Sequence, residues 1–337
     1  MGYKISTMNQ NVLYQDFEQI AACAVPWKHL ENKRILITGA TGFIGGYLAK
    51  ALCWLDSQLS LGLDVELFRR TGTEAVFSAP CVHWTEGTLS ENFIPEDFHP
   101  DIMIHAASPA NQRAICADPV GIVDCSILAT QYLLERARKD HSMLVFFSSG
   151  EVYRRRSGRI PEEGARDLAQ SGVSSLYGNS KLAGELLCAR YKEEYGVDCR
   201  ILRPFSIFGP GESLTSGRYF TDFIRQVKET HKIQVNGPGT QIRSHCYLSD
   251  FISGLLYVLL RGESTVYNMG NEDNTCSILE LAEQIAKLSG NADVIGPLSP
   301  EIQTDSFVPD TTKLRQLGWR PQINLQDCIK RCLDSYQ

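Results

Sequence analysis

Short apolar segments alternate with longer amphipathic segments from residue 34 to about residue 205. The apolar runs predict strands at 34–38, 65–68, 82–84, 102–105, 144–147 and 200–203. The segments between them predict helices at 47–55, 120–139 and 181–195, and a further short helix is expected at 14–23. Strands that alternate with helices in this way are typical of a parallel sheet with helices on both faces. Continuous apolar strands fit such a sheet, because both of its faces are buried.

A glycine-rich turn follows the first predicted strand. In TGATGFIG, Gly39, Gly42 and Gly45 stand three residues apart, between a strand and a helix. This spacing allows a tight turn, close approach of the backbone to a diphosphate and close packing of the helix on the strand. The helix N-terminus then directs N–H groups and a partial positive charge at the phosphates. In this strand–turn–helix context the pattern indicates a dinucleotide site much more strongly than it does alone.

These features predict an α/β fold with a Rossmann-type, doubly wound parallel sheet and a smaller C-terminal substrate-binding lobe. We expect residues 1–32 to form an N-terminal extension and residues 33–205 to form mainly the NAD(P)-binding domain. Glycine and proline become frequent after residue 205, as in GPGES and NGPGT. Residues 206–337 are therefore expected to form mainly the substrate-binding lobe, and one of their segments can return to the sheet.

Two arginines follow the second predicted strand, at the position that distinguishes NAD from NADP. An acid there binds the ribose hydroxyls of NAD, whereas arginine suits the 2′-phosphate of NADP. Arg69 and Arg70 stand at this position and no acid does. The local residues therefore favour NADP, although an arginine can also stack on the adenine of either cofactor.

A tyrosine and a lysine are spaced for one face of a helix. Tyr177 and Lys181 are four residues apart, which places them side by side on a helix. Lowering a tyrosine pKa from ~10 to about 7 takes roughly 4 kcal/mol. A lysine cation about 4 Å away supplies on the order of 4 kcal/mol at an effective dielectric constant of about 20. The pair therefore suits a tyrosine base, with the charge of an oxidised nicotinamide as a further aid.

Several longer motifs occur in a fixed order along the chain. They are TGATGFIG, IHAASPA (104–110), SSGEVY (148–153), YGNSK (177–181), LRPFSIFGPG (202–211), QIRSHCYLSD (241–250), VYNMGN (266–271) and LGWRP (317–321). Through them the chain resembles the NAD-dependent epimerase/dehydratase family from residue 34 to its C-terminus. These are extended short-chain dehydrogenase/reductases that act on nucleotide sugars. HAASPA and QIRSHCYLSD look closest to the UDP-glucuronate decarboxylases of that family.

The resemblance implies roles for individual residues. The catalytic residues would be Ser149, Glu151, Tyr177 and Lys181. The cofactor-binding residues would be Gly39, Thr41, Gly42, Phe43, Ile44, Gly45, Arg69, Arg70, Ala106, Ala107, Ser108, Tyr177, Lys181, Arg203, Pro204 and Ser206. The substrate-binding residues would be Pro109, Ser149, Glu151 and Arg243. Three positions depart from the family pattern: Thr88 replaces a frequent Asp, Ser126 replaces the usual Asn, and Arg154 replaces the usual Gly.

The resemblance leaves the exact reaction open. Members of the family oxidise C4 of the sugar transiently, and a 4-epimerase then only returns the hydride. A 4,6-dehydratase also needs a base and an acid, whereas a decarboxylase of a uronic acid mainly needs a cation. Glu151 and Arg243 therefore favour decarboxylation or dehydration, with simple 4-epimerisation as the alternative. Glu151 as a solvated turn residue and Arg243 as a diphosphate ligand remain the competing interpretations.

A function of another class is a non-catalytic dinucleotide sensor or scaffold, since fold alone does not fix function. Such relatives tend to lose the tyrosine or the lysine, and both are present here. A nucleotide sugar is the expected substrate. NAD is the cofactor expected from the family, with NADP as the alternative. The apolar stripes of the helices at 120–139 and 181–195 predict a homodimer, because the equivalent helices of relatives pair across a twofold axis.

Composition changes this picture little. A net charge of −6 gives no electrostatic reason to expect nucleic acid or an anionic membrane as a partner. No apolar run approaches the roughly 18 residues that span a bilayer, and the N-terminus lacks the pattern of a signal peptide. The 11 cysteines form no CxxC pair. We therefore expect reduced thiols in a cytoplasmic protein and no metal site.

Overall fold

The computed structural model describes residues 10–74, 77–89, 93–108, 112–153, 158–164, 173–297 and 305–336. Its strands in chain order are β1 Arg34–Thr38, β2 Asp64–Arg70, β3 Val82–Gly87, β4 Ile102–His105, β5 Met143–Phe147, β6 Arg159–Ile160, β7 Cys199–Pro204, β8 Ile207–Phe208, β9 Lys232–Gln234, β10 Ile242–Ser244, β11 Cys246–Tyr247, β12 Val266–Met269, β13 Thr275–Ser277, β14 Asp293–Ile295 and β15 Ser306–Pro309. Its helices are α1 Gln10–Ala21, α2 Phe43–Leu59, α3 Gln112–Ala117, α4 Pro119–Val123, α5 Ala129–Asp140, α6 Val173–Tyr195, α7 Tyr219–Thr230, α8 Leu248–Arg261, α9 Ile278–Leu288, α10 Thr312–Gln316 and α11 Leu325–Ser335.

The larger lobe is built on a sheet of seven strands. Their order is β12-β7-β5-β4-β1-β2-β3, and all neighbouring strands are parallel. Both faces are covered: Ile35 and Ile37 of β1 pack in one hydrophobic core, and Leu36 packs in another. A strand that is buried on both faces has no polar side, which explains the continuous apolar runs. The prediction of a Rossmann-type doubly wound sheet is confirmed.

The two lobes exchange segments. Strand β12 comes from the C-terminal half of the chain and pairs with β7, so it is a segment that returns to the large sheet. In the opposite direction, β6 leaves the N-terminal half and pairs with β15. It completes a four-stranded sheet of order β13-β10-β15-β6 in the smaller lobe. The chain therefore crosses between the lobes several times near the carboxyl ends of the large sheet.

The predicted helices differ from the observed ones at their ends. Helix α2 begins at Phe43 instead of residue 47, because Gly42 at the end of the glycine turn is its N-cap. Helix α6 begins at Val173 instead of residue 181, so Tyr177 and Lys181 both lie on it. The helix predicted at 120–139 consists of α4 and α5 joined by a π-helical turn, Asp124–Leu128. Tertiary packing decides these details more than the local apolar pattern does.

The smaller lobe has a core of its own. Helices α7, α9 and α11 contribute buried side chains such as Phe223, Ile285 and Ile329 to it. Each of these helices has a strongly amphipathic sequence, as expected for a helix with one face on a core. Among the helices of the described ranges, none is both long enough and apolar enough to cross a membrane.

The N-terminal helix α1 is tied to both lobes through one buried carboxylate. Asp16 accepts hydrogen bonds from Tyr47 Oη of α2 at 2.9 Å and from Tyr247 Oη of β11 at 3.0 Å. It also forms an ion pair with Arg331 of α11. Burial dominates and raises the pKa of Asp16 to about 6. Helix α1 is therefore an integral part of the fold, because it joins helix α2 to the smaller lobe.

We predict that Asp16→Ala lowers the free energy of unfolding by about 3 kcal/mol, because two buried hydroxyls and a partly buried guanidinium lose their acceptor. Urea denaturation measures the effect. Glu18→Ala is the matched control, since Glu18 is an exposed carboxylate on the same helix and its loss is expected to cost less than about 0.5 kcal/mol. Equal losses in the two variants would contradict the assignment of Asp16.

Candidate active site

A cleft of about 1320 Å³ lies between the two lobes, at the carboxyl ends of the large sheet. Ligands of open α/β sheets bind at this edge. The cleft is lined by most of the residues selected from the sequence: Gly39, Thr41, Gly42, Phe43, Ile44, Gly45, Ala106, Ser108, Ser149, Glu151, Tyr177, Lys181, Pro204, Ser206 and Arg243. The structure therefore brings together the glycine turn, the serine at the strand end, the tyrosine–lysine pair and a substrate-side arginine.

Other predicted residues lie elsewhere. Ala107 is buried behind the glycine turn, and Arg203 is fully buried with a relative exposure of 0%. Arg203 is committed to a buried ion pair with Glu185 and is not among the residues that line the cleft, so its contact with the cofactor stays a prediction. Arg69 and Arg70 stand at the end of β2 and do not line the cleft. Pro109 and Arg154 fall outside the described residues.

The glycine turn has the shape that a dinucleotide diphosphate requires. Gly39 has a φ of 75°, and a Cβ there would lie 2.7 Å from the backbone of Ala107. A Cβ at Gly45 would lie 2.3 Å from the carbonyl oxygen of Gly39. Any side chain at either position would push the turn away from helix α2. With glycine, the N-terminus of α2 lines the cleft, and a helix N-terminus fits a diphosphate group.

The end of β2 is less basic than its sequence indicates. Arg69 Nη2 lies 2.5 Å from Glu86 Oε2 on the neighbouring strand β3. The guanidinium also donates to the carbonyl oxygen of Thr73. The charge of Arg69 is therefore largely compensated within the protein. The sequence alone does not place Glu86 beside Arg69, because this contact depends on the register between β2 and β3. The arginines alone therefore overstate the preference for NADP.

Ser149, Tyr177 and Lys181 meet where β5 ends against α6. Burial raises the pKa of Tyr177 to about 12, while a hydrogen bond with Ser149 acts in the opposite direction. Lys181 Nζ donates to the carbonyl oxygen of Phe147 at 2.8 Å, and burial lowers its pKa to about 8. Its Nζ lies 5.9 Å from the centre of the Tyr177 ring. Burial therefore dominates the pKa of Tyr177 in the protein alone, and the lowering of that pKa by Lys181 stays a prediction.

Glu151 lines the same cleft but in a different backbone conformation from the one expected. Gly150–Val152 forms a 3₁₀ turn, not a continuation of the strand, and Ser149 Oγ accepts from the N–H of Glu151 at 3.1 Å. The carboxylate is exposed to the cleft, and its charge raises the pKa of Tyr177. Glu151 is therefore close enough to the tyrosine to act on the same ligand.

Gly150 is closely packed against two aromatic rings. A Cβ at this position would lie 2.5 Å from Cζ of Phe307 and 3.2 Å from the ring of Phe205. The two phenylalanine rings stack on each other with their centres 4.5 Å apart. A serine or aspartate at position 150 would collide with this pair. The cleft therefore has an aromatic wall beside Glu151.

A fully buried ion pair connects the elements that carry the cleft residues. Arg203 Nε and Nη2 donate to the two carboxylate oxygens of Glu185 at 2.8 and 2.6 Å. Ser148 Oγ also donates to Glu185 at 2.5 Å, and Arg203 Nη1 contacts the hydroxyl of Tyr153 at 2.5 Å. The network joins α6, β7 and the segment that carries Ser149 and Glu151. It is the reason that Arg203 is not available to a ligand.

Sequence reasoning missed several residues of the cleft, and three of them bear on its chemistry. Arg218 lines it together with Glu212, and their side chains pair at 2.9 Å. The positive charge of Arg218 lowers the pKa of Tyr177, so it lies near the reacting end of the cleft. Phe307 is the third. One feature of the sequence indicates Arg218: it ends the glycine- and serine-rich stretch 209–218, and a stretch of this composition suits a loop over a ligand.

The glycine turn, Ser149, Tyr177 and Lys181 thus line one cleft, in the arrangement that the sequence motifs predict for a dinucleotide-dependent enzyme. The model of the NAD dependent epimerase/dehydratase family matches residues 35–270. The chain belongs to this family. NAD as the cofactor is thereby confirmed, and the resemblance seen in the sequence motifs is confirmed as well.

Relatives of known activity cover nearly the whole chain. UDP-glucuronic acid decarboxylase 1 of Xenopus tropicalis is 28% identical over 91% of this chain and 73% of its own length. The crystal structure of UDP-glucuronic acid 4-epimerase from Bacillus cereus, in complex with UDP-glucuronic acid and NAD, is 25% identical with a TM-score of 0.72. It covers 90% of this chain and 98% of the epimerase. The dTDP-glucose 4,6-dehydratase of Bacillus anthracis in complex with NAD has the same fold, with a TM-score of 0.73 at 19% identity over 89% of this chain and 95% of that one.

We predict that Glu185→Gln lowers the free energy of unfolding by about 3 kcal/mol or more, because it leaves the buried charge of Arg203 without its partner. Differential scanning calorimetry measures the loss as a lower midpoint. Glu193→Gln provides the control: Glu193 is on the same helix, its side chain is 58% exposed, and it pairs only at the surface with Arg190. If the two variants unfold at the same temperature, the network does not support the site.

Proposed function

We propose that the protein is an NAD-dependent decarboxylase of a nucleotide-linked uronic acid, with UDP-glucuronate as the substrate to test first. The proposal rests on one observation: Glu151, Arg218 and Arg243 line the same cleft as Ser149 and Tyr177. UDP-glucuronate brings a diphosphate and a carboxylate into such a cleft. Arg218 and Arg243, which are already paired with Glu212 and Asp305, are the two guanidinium groups of the cleft lining that can bind these anionic groups.

The first step assigned to the protein is proton removal at C4 of the sugar. Tyr177 takes the proton of the C4 hydroxyl, and Ser149 holds the oxygen by a hydrogen bond. NAD supplies the acceptor for the hydride from C4. Lys181 holds the phenol in place and contributes positive charge while it is protonated. Arg218 acts in the same direction, because its charge favours the ionised form of Tyr177.

The second step is loss of the carboxyl group. The ketone at C4 makes the C6 carboxylate a β-keto acid, so the C5–C6 bond breaks, CO2 leaves and the electron pair moves onto the C4 oxygen. A proton must then be added at C5 before C4 is reduced again. Glu151 is the carboxyl group assigned to this proton, because it lines the cleft near Tyr177 and is exposed. An arginine beside the leaving carboxylate keeps it in position.

Dehydration is a weaker interpretation of this cleft. A 4,6-dehydratase needs both an acid and a base at the C5–C6 end of the sugar. Phe307 fills the space beside Gly150, so no second acid can stand there without displacing the aromatic pair. Glu151 would have to perform both tasks alone.

Epimerisation at C4 is the second candidate. It is favoured by the similarity to the UDP-glucuronic acid 4-epimerase of Bacillus cereus, whose substrate has the same two anionic groups. Incubation with UDP-glucuronate followed by mass spectrometry distinguishes the two. Loss of CO2 supports the proposal, whereas a new isomer of unchanged mass means epimerisation. UDP-glucose serves as the control substrate, and turnover of UDP-glucose but not of UDP-glucuronate would contradict both candidates.

Tyr177→Phe is predicted to reduce turnover by about 10³-fold, because it removes the acid–base hydroxyl. The amount of NAD bound by the purified protein should stay nearly unchanged. Tyr195→Phe is the control, since Tyr195 lies on the same helix with its side chain 53% exposed. An active Tyr177→Phe enzyme would rule out the assigned base.

Glu151→Gln is predicted to allow oxidation at C4 and to suppress the final product, because the amide keeps the shape of the side chain but cannot deliver the proton. Absorbance of reduced nicotinamide after mixing with substrate reports the first step, and mass spectrometry reports the product. Glu163→Gln, at another exposed carboxylate, is expected to behave as the wild type. Undiminished product from Glu151→Gln means that Glu151 is only a turn residue and makes epimerisation the better interpretation.

A homodimer is part of the proposal. Val120, Leu128 and Leu186 have relative exposures of 67%, 54% and 50%, on α4, the π-helical turn and α6, which pack against one another. Exposed apolar side chains on neighbouring helices are typical of an interface. We expect light scattering to give a dimer and Leu186→Glu to give a monomer. Leu59→Glu, on α2, is the control that should remain dimeric. A monomeric wild type at micromolar concentration contradicts the expectation.

A further inference from the structure

The adenosine end of the cofactor site contains an ion pair that the family assignment does not explain. In a dinucleotide fold the adenosine ribose lies at the carboxyl end of the second strand. The register of β1 with β2 pairs Thr38 with Phe68, so Arg69 lies beside the start of the glycine turn. The register of β2 with β3 pairs Arg69 with Glu86. A basic and an acidic side chain therefore meet where the ribose is expected.

The contacts of this pair hold the arginine away from the ligand. Arg69 Nη2 lies 2.5 Å from Glu86 Oε2, and the same guanidinium donates to the carbonyl oxygen of Thr73. Glu86 Oε1 accepts from the N–H of Gly72 at 3.3 Å. The two side chains are 25% and 38% exposed, so neither is closed off from solvent.

We propose that Glu86 makes the protein select NAD over NADP. A 2′-phosphate carries about −1.5 to −2 charges, and it would have to compete with the Glu86 carboxylate for Arg69 while lying close to that carboxylate. The 2′-hydroxyl of NAD meets no such repulsion, and a carboxylate can accept its hydrogen bond. Strand β2 therefore carries an arginine of the kind that binds NADP, and Glu86 on the neighbouring strand β3 compensates the charge of that arginine.

The test is competition between NAD and NADP for the cofactor site of the protein. Each variant is dialysed against an equimolar mixture of NAD and NADP at physiological ionic strength, and the dinucleotides released on denaturation are quantified. We expect the wild type to contain mainly NAD. Glu86→Gln should raise the ratio of NADP to NAD by about tenfold or more, because Arg69 becomes free to bind the phosphate. Arg69→Ala should lower the ratio of NADP to NAD, since the Glu86 carboxylate then no longer has Arg69 beside it.

Glu74→Gln is the matched control. Glu74 is an exposed carboxylate after the same turn, so its removal changes the local charge by the same amount without releasing Arg69. The ratio of NADP to NAD in Glu74→Gln should stay within about twofold of the wild-type ratio. The double variant Glu86→Gln with Arg69→Ala should lose the gain in NADP. A wild type that retains mainly NADP, an unchanged ratio in Glu86→Gln, or an equal effect of Glu74→Gln overturns the proposal. The outcome is independent of the sugar reaction, because no nucleotide sugar is present.

Discussion

The buried pair of Arg203 and Glu185 is the constraint on which the candidate active site depends. It joins helix α6, which carries Tyr177 and Lys181, to strand β7. Through Ser148 it also holds the end of β5, from which Ser149 continues into the cleft. A buried ion pair tolerates few alternative geometries, since removing or displacing one partner leaves an uncompensated charge in the interior. The positions of the reacting side chains are therefore set by an interaction that no ligand touches.

The electrostatics of the cleft follow from where its charges are compensated. Arg203 and Arg69 are neutralised by Glu185 and Glu86, so neither offers a full cation to a ligand. Arg218 and Arg243 also have acidic partners, Glu212 and Asp305, but they line the cleft. Arg218 and Arg243 are therefore the two of these four arginines that a ligand in the cleft can contact.

The sequence was sufficient for the sheet and for most of the cleft, because both depend on local patterns. The continuous apolar runs identify the inner strands, and the carboxyl ends of those strands locate Gly39 and Ser149. Other features depend on contacts between distant segments. The pairing of Glu86 with Arg69 depends on strand register, and the commitment of Arg203 depends on a helix 18 residues earlier in the chain. Phe307 enters the cleft from a strand near the C-terminus, and nothing local to Gly150 indicates it.

The central claim is that the cleft oxidises C4 of a uronate and then replaces its carboxyl group by a proton. The most direct measurement is the reaction of UDP-glucuronate in deuterium oxide, with the position of deuterium in the product determined by NMR. The account predicts a product that has lost its carboxyl group, carries deuterium at C5 and retains the original hydrogen at C4, because that hydrogen leaves and returns on the bound cofactor. A product that keeps its carboxyl group and contains no deuterium at C5 would contradict it.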